Sequence, residues 1–388
     1  MRLRGLVLVI LLAASTDSLD AAQRATVDQL EQKLASPPSP ASSLTGVPVA
    51  RLQDATLAFQ IDELQLSERL TPATLQRILK AHTFGPQTQT ALQSLADRSS
   101  LLDPPASELP NQPAPDADQQ QHILEMARAY VFRTLTRLPN FFATRATAQF
   151  YGIPPEQNQT GLPMYVGLHP RGSYSREITY RNGKEVIDPM EFNRSPAKSP
   201  ESYQQRWSHS GLETWGEFGP EPAVILIDSD NGSIAFHNWE QTPQGVAAVF
   251  RFSVPEESSH YEVNYSCNYS NSFHAQPAYH GSLAIDPTSG AILRIVLQAD
   301  SKPDDPISHV SSVIEYGPVE VGGRSYICPL RSLAFSVEES NACSVDARYA
   351  HLVHAMVLNR TTFTDYHRLG STSKIILDTP ETHQELPK

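Results

Sequence analysis

Cysteine is scarce, with only 3 in the chain and none before Cys267, so a bacterial lipid anchor, which needs a cysteine directly after the signal segment, is excluded. The three also lack the CxxC or CxxxC spacing of a thiolate zinc site. Long apolar runs are missing as well. The longest, Leu6 to Ala14, falls well short of the roughly 20 residues a membrane-spanning helix needs, so no transmembrane segment is expected. Positive charge is in deficit, 30 Lys and Arg against 42 Asp and Glu for a formal net charge of -12, and the basic residues form no stripe. That excludes a surface built to track phosphates, and with it nucleic acid as a partner. No G-x-S-x-G elbow, H-E-x-x-H, G-x-G-x-x-G or Walker loop occurs. No cofactor is expected, and no residue is assigned a catalytic role.

What is present begins with an address. Arg2 and Arg4 precede the short apolar run, and small residues at Ala13, Ser15 and Ser18 suit a signal peptidase, so residues 1–22 read as a cleavable signal and the mature chain as secreted or periplasmic. The 31 prolines, concentrated before residue 200, mark extended connectors. The expected organisation is a helical N-terminal region over 23–102, a Pro-rich linker over 103–117, a helix plus antiparallel β domain over 118–371 and a polar tail over 372–388.

Helices announce themselves by a period of 3.6. Val27, Leu30 and Leu34 share one face of a first helix that stops at the Pro37, Pro38, Pro40 cluster. A second begins near Val49, and a third opens on Thr71 as N-cap and Pro72 at the first turn, with Gly85 as its stop. A fourth runs from Pro86 through Leu92 and Leu95. The clearest stripe, Ile123, Met126, Ala127, Tyr130, Val131, Thr134, Leu135 and Leu138, ends at Pro139 and predicts a long helix covering a sheet.

From Phe141 the period changes to two: Phe142, Thr144, Ala146, Ala148 and Phe150 alternate with Phe141, Arg145 and Gln149. Asn182-Gly183, Asp286 to Gly290, and Gly322-Gly323 each separate two strand-like runs and predict hairpins. Further strands are expected at 246–254, 260–267, 310–316, 332–337 and 354–363, paired as a meander. Ala223 to Ile227 reads as one or two helical turns over the sheet, with a short buried strand as the alternative.

The helix ending in LPNFFATRATAQF, followed by VFRFSVPEESSHYEV, YHGSLAIDPTSGAILRI and VSSVIEYGPVEVGGRSYICP, resembles a group of exported bacterial proteins of uncharacterised function. Through the Asp286 to Gly290 hairpin and its alternating apolar strand, the β portion also resembles the periplasmic lipoprotein-carrier (LolA-like) class. Over roughly Asp118 to Leu369, that resemblance implies an α+β fold in which a curved, mostly antiparallel sheet forms an open half-barrel covered by helices. It further implies an apolar groove able to hold a lipid or other apolar ligand. Tyr130, Phe142, Phe150 and Trp215 are the expected lining, with Phe142 and Phe150 facing the 123–138 helix. A second possibility is an interaction module docking on another envelope protein. A third is an enzyme using Glu217 with His209 or His280.

The remaining candidates weigh toward structure. His351 and His354 form an H-x-x-H pair, but a strand puts them on opposite faces and no third ligand is spaced to join them, so no metal is expected. Asp228-Ser-Asp230-Asn-Gly232 starts like a calcium loop, yet its glycine is one place early and Trp239 stands where a bidentate Glu belongs. In Trp215-Gly-Glu217-Phe-Gly219, a buried acid is the functional reading; a glycine turn packing Trp215 and Phe218 into the core is the favoured one. A Cys267–Cys328 disulfide is expected, with Cys328–Cys343 and three free thiols as the alternatives. Asn158, Asn231, Asn264, Asn268 and Asn359 lie in glycosylation sequons.

Overall fold

A computed structural model describes residues 24–35, 48–152, 167–186, 212–268, 271–338 and 355–370, and within them the side chains of all but 135, 136, 266–268, 271 and 272. The signal segment 1–22, the proline cluster at 37–40, Asn158, His209, Cys343, the His351 and His354 pair and the tail from 372 lie outside the described residues. Among the described residues, no helix is long and apolar enough to cross a membrane. The chain divides into two compact units, the first taking the described residues up to Leu109 with 151–152, 167–169 and 355–356, the second the remainder.

The first unit joins β1 (Arg24–Ala25), α1 (Val27–Ala35), α2 (Val49–Asp62), β2 (Gln65–Leu66), α3 (Pro72–Ala81) and α4 (Pro86–Arg98). Leu30, Ile61, Leu70, Leu92 and Leu95 form its wholly buried centre. The Thr71 hydroxyl caps α3 by accepting from Thr74 N at 3.2 Å, satisfying one of the free N–H groups of the first turn. Thr71 and Thr74 both donate to the Glu108 carboxylate, at 2.7 and 2.8 Å, so the proline-rich stretch up to Glu108 is tied to α3. Gly85 does not stop α3, which ends at Ala81. It is the N-cap of α4, where a Cβ would lie 2.3 Å from the Asp54 carboxyl carbon. That carboxylate accepts from Gln87 N and Thr88 N, so an aspartate from α2 supplies the cap a glycine cannot.

The second unit begins with α5 (Ala117–Arg137), opened by a capping box in which Asp116 accepts from Gln119 N and Gln119 returns a bond to Asp116 N. A 10-stranded sheet follows, in the order β5-β4-β3-β14-β13-β12-β11-β10-β7-β6. Its strands are β3 (Phe141–Gly152), β4 (His169–Arg181), β5 (Lys184–Val186), β6 (Ser233–Thr242), β7 (Gly245–Val254), β10 (Tyr279–Ile285), β11 (Ile292–Ala299), β12 (Ile307–Val321), β13 (Arg324–Glu338) and β14 (Ala355–Arg368). The sheet is mostly antiparallel and open, with β5 and β6 at its edges. Ala223 to Ile227 is helical, within α6 (Pro220–Asp228). Ile123, Leu124, Ala127 and Val131 of α5 and Ile225 and Leu226 of α6 pack with Phe250, Tyr279, Leu283, Ile295 and Ile314 of the sheet in one core. The fold is therefore α+β, with helices laid on the sheet.

The three hairpins lie where the turn residues predict, between β4 and β5, β10 and β11, and β12 and β13. The simple meander does not hold. The pair β8 (Val263–Asn268) and β9 (Asn271–Ala275) forms its own two-stranded sheet, so β7 pairs directly with β10, and β14 lies between β3 and β13. The expected Cys267–Cys328 disulfide is also corrected, because Cys328 is a free, buried thiol. It opposes Gly317 in the centre of the sheet and packs with Leu138, Phe141 and Phe218, whereas the Cys267 backbone belongs to the separate β8–β9 ladder.

Helix α5 owes its seat to one glycine. In the β10–β11 turn, Gly290 N donates to Asp286 O at 2.9 Å, and Gly290 has φ +74°, in the left-handed region. A Cβ there would stand 2.4 Å from the Met126 carbonyl of α5. Gly290→Ala is thus expected to cost about 2 kcal/mol or more from backbone strain and helix displacement together. Urea unfolding checks this, and a loss below about 0.5 kcal/mol would mean that α5 does not rest on the turn.

Candidate functional site beneath the long helix

Tyr130, Val131 and Thr134 project from α5, and Leu138 follows just past its end. Across from them stand Phe218 and Pro222 at the start of α6, Tyr316 on β12, and Ile327 and Cys328 on β13. Between them lies an inner chamber of about 40 Å³, room for a group the size of a water or two. Tyr130, Thr134, Leu138 and Ile327 also line an outer chamber of about 360 Å³, flanked by Arg133 and Arg137. The two arginines are four residues apart on α5 and so share one side of the helix.

Glu217 also lines the inner chamber, and burial holds the thiol and phenols around it in their neutral forms. The Cys328 thiol is pushed up to about 12 and stays protonated at neutral pH, which makes it a poor nucleophile. Burial likewise raises the Tyr130 phenol, and it raises Tyr316 well above its ordinary value with the Glu221 and Glu217 carboxylates adding to the effect. Tyr316 donates its hydroxyl to the Glu217 carbonyl at 2.9 Å, fixing the turn that forms the chamber's back wall.

Glu217 is wholly buried, as the functional reading of its motif supposed, but its partner is an arginine. Arg145, from the centre of β3 and also fully buried, places Nη2 at 3.3 Å from Glu217 Oε1 and donates to Thr214 O at 2.6 Å. Thr214 Oγ1 donates to Glu217 Oε1 at 2.5 Å and shares a 2.7 Å hydrogen bond with Ser332 Oγ. Glu213 and Glu185 stand 3.9 and 4.0 Å from the same guanidinium. Burial works against the Arg145 charge, yet these three carboxylates outweigh it and hold its pKa above the ordinary value. Arg176 bonds Glu213 at 3.0 Å, and the Tyr174 hydroxyl donates to the other oxygen of that carboxylate. Glu185 is pushed up to about 7, first by burial and then by Glu217, only partly offset by Arg145 and Arg176.

The expected lining residues are not gathered into one place. Tyr130 lines both chambers. Phe142 and Phe150 share the opposite face of β3 from Arg145, and neither lines the cleft; Phe142 is half-buried, and Phe150 is buried with the Arg360 guanidinium 4.6 Å from its ring centre. Trp215, expected in the core, is 48% exposed and borders a different cavity. The glycine turn is as read, with Gly216 at φ +86°, and Phe218 stacks among Phe141, Tyr180, Phe363 and Tyr366. His280 is paired with Asp300 at 3.1 Å. Asp228, at the C-terminal end of α6, accepts from His260 N and Tyr279 OH, both at 2.8 Å, which makes it an anchor for the chain after β7. Asn359 is 2% exposed and bonded to Gln149 and Leu212, so its sequon has no room for a glycan. Among the described residues, no three metal-capable side chains gather.

The sequence singles out Glu217 as a buried acid but not its pairing with Arg145, nor Glu185 and Glu213 beside it, although a signal exists. Glu213, Glu217 and Glu221 recur every four residues around the turn, and a lone arginine interrupts the Ala/Thr alternation of β3.

No family model matches the chain, and no curated protein matches it. Among solved structures, a LolA superfamily protein from Nitrosomonas europaea is similar at 11% identity over 65% of this chain and 94% of that one, with a TM-score of 0.24. So loose a superposition carries no argument about this chain's fold or activity.

Proposed function

We propose that the protein binds an apolar ligand, a lipid with an acyl chain, in the cleft beneath α5. The observation behind this reading is a pair of cavities under α5, a mostly apolar inner one of about 40 Å³ and an outer one of about 360 Å³, that share Tyr130, Thr134, Leu138 and Ile327 in their linings. For scale, an engineered cavity of about 150 Å³ holds benzene. The chain end would enter between Val131, Leu138 and Phe218, and Arg133 and Arg137 at the outer chamber suit an anionic headgroup. The function is carriage or sensing of the ligand, not turnover, since Glu217 is committed to Arg145 and Cys328 is held protonated. The basic start and short apolar run of residues 1–22 support binding after export.

Docking on another envelope protein is the weaker reading. The exposed Val49 and Phe59 of α2 are ten residues apart, roughly 15 Å along the axis and about 80° around it, too far apart to form one contiguous patch.

Native mass spectrometry of protein purified from its own envelope, with organic extraction, tests the proposal. A stoichiometric adduct released by solvent is the expected result. Thr134→Trp, at a residue that lines both chambers, is expected to weaken oleate binding in calorimetry at least tenfold, in order of magnitude, while leaving the melting temperature unchanged. A clean apo mass together with no uptake of oleate would overturn the reading.

A further inference from the structure

A second cavity, of about 140 Å³, opens between the turn at Leu212 to Trp215, the start of α6, β8 and the strands β12 and β13. It differs in chemistry from the cleft under α5. Its lining contains three glutamates, Glu213, Glu221 and Glu262, and no Lys, Arg or His. Glu213 is already engaged by Arg176 and Tyr174. Glu221 is not. It is 8% exposed, its Oε1 lies 3.5 Å from Ser312 Oγ, and its Oε2 has no hydrogen-bond partner. Ser311, 5% exposed and lining the same cavity, has an equally unpartnered hydroxyl. Two orphaned polar atoms at one buried wall are costly, about 1–3 kcal/mol each by general experience, unless something occupies the space in front of them.

The missing group must donate hydrogen bonds, since a carboxylate oxygen can only accept. It must also suit the field of the wall and the half-exposed indole of Trp215 at the cavity's edge, whose face attracts cations. We propose that this cavity is a binding site for a small organic cation bearing N–H donors, a primary ammonium or a guanidinium group. Glu221 is its buried counter-ion, Ser311 and Ser312 complete the hydrogen bonds, and Trp215 and the exposed Glu262 form the outer side. Burial, and then the neighbouring Glu217, raise the Glu221 carboxyl well above its ordinary value, and an entering cation favours its ionised, accepting form. The volume is close to that of a cavity holding benzene, so the ligand is a compact cation or the tip of a lysine or arginine side chain on a peptide.

Calorimetry and tryptophan fluorescence with methylguanidinium and with butylammonium test this on the full mature chain, with tetramethylammonium and urea as comparators. One saturable site per chain is expected for the two N–H cations. Tetramethylammonium, a cation without donors, and urea, donors without charge, are each expected to bind at least about tenfold more weakly. Glu221→Gln should weaken methylguanidinium binding by about tenfold or more, and Trp215→Leu, at an exposed position that cannot disturb the core, by about fivefold. Should Glu221→Gln fail to fold, Trp215→Leu decides alone. Unchanged affinity in the folded variants, equal binding of urea, or no saturable signal up to millimolar cation overturns the proposal.

Discussion

Arg145→Met is expected to lower the unfolding free energy by about 3–5 kcal/mol, the usual cost of removing one partner from a buried ion pair. Arg145 is 0% exposed and is the nearest cation to Glu217, itself 0% exposed, with Glu185 and Glu213 within 4.0 Å. Methionine fills much of the same volume, so the loss comes from charge left behind and not from a void. The double variant Arg145→Met with Glu217→Gln is expected to recover part of the loss, because the glutamine keeps the Thr214 hydrogen bond without the charge. Urea unfolding followed by circular dichroism measures both. A single variant within about 1 kcal/mol of the parent would show that the arginine does not neutralise the cluster.

The same cluster gives the protein an unusual pH profile: stability should fall as pH rises from about 5 to about 8. Glu185, with only 8% of its side chain exposed, is pushed up to about 7 from an ordinary 4.5. Below 4.5 the carboxyl is protonated in both folded and unfolded chains, and the group adds nothing. Between the two values the folded chain keeps a proton the unfolded chain has lost, so each rising pH unit favours unfolding by up to about 1.4 kcal/mol. Above about 7 both are ionised, and the accumulated loss, on the order of 3 kcal/mol, levels off. Glu221, raised in the same direction, adds to the slope. Glu185→Gln should remove most of the decline while leaving the acid-side stability unchanged. A parent protein as stable at pH 8 as at pH 5 would refute this assignment.

Local signals were legible and distant ones were not. Thr71-Pro72, the Ile123 to Leu138 stripe and Asn182-Gly183 each act through neighbouring backbone, so their helices and hairpin could be read directly from the residues. Nothing local says that β14 lies between β3 and β13, or that β8 and β9 leave the sheet; those follow from which faces find partners at long range. The face of β3 shows the same limit. Alternation made Phe142 and Phe150 the natural lining, yet the inward face carries Arg145, Thr147 and Gln149, whose polarity is met by Glu217, Thr361 and Asn359 from remote segments. Periodicity distinguishes two faces of a strand but cannot say that a charge on one of them is answered. Tyr130 could be read as lining because the helical stripe already contained it, whereas the two-chamber shape depends on how far α5 stands from β13.

The position of β14 also governs how the polypeptide can acquire its shape. The β3, β4 and β5 sector meets the remaining strands of the sheet only through β14, more than 200 residues further along than β3. During synthesis, the earlier strands can form hairpins but cannot join into one sheet until that late segment emerges. Until then, β3 and β13 each present an unpaired edge, the kind of surface on which other chains add. Closure of the sheet therefore waits for β14 and depends on long-range pairing. A premature stop ahead of residue 355 would yield two sticky half-sheets rather than a slightly shortened protein.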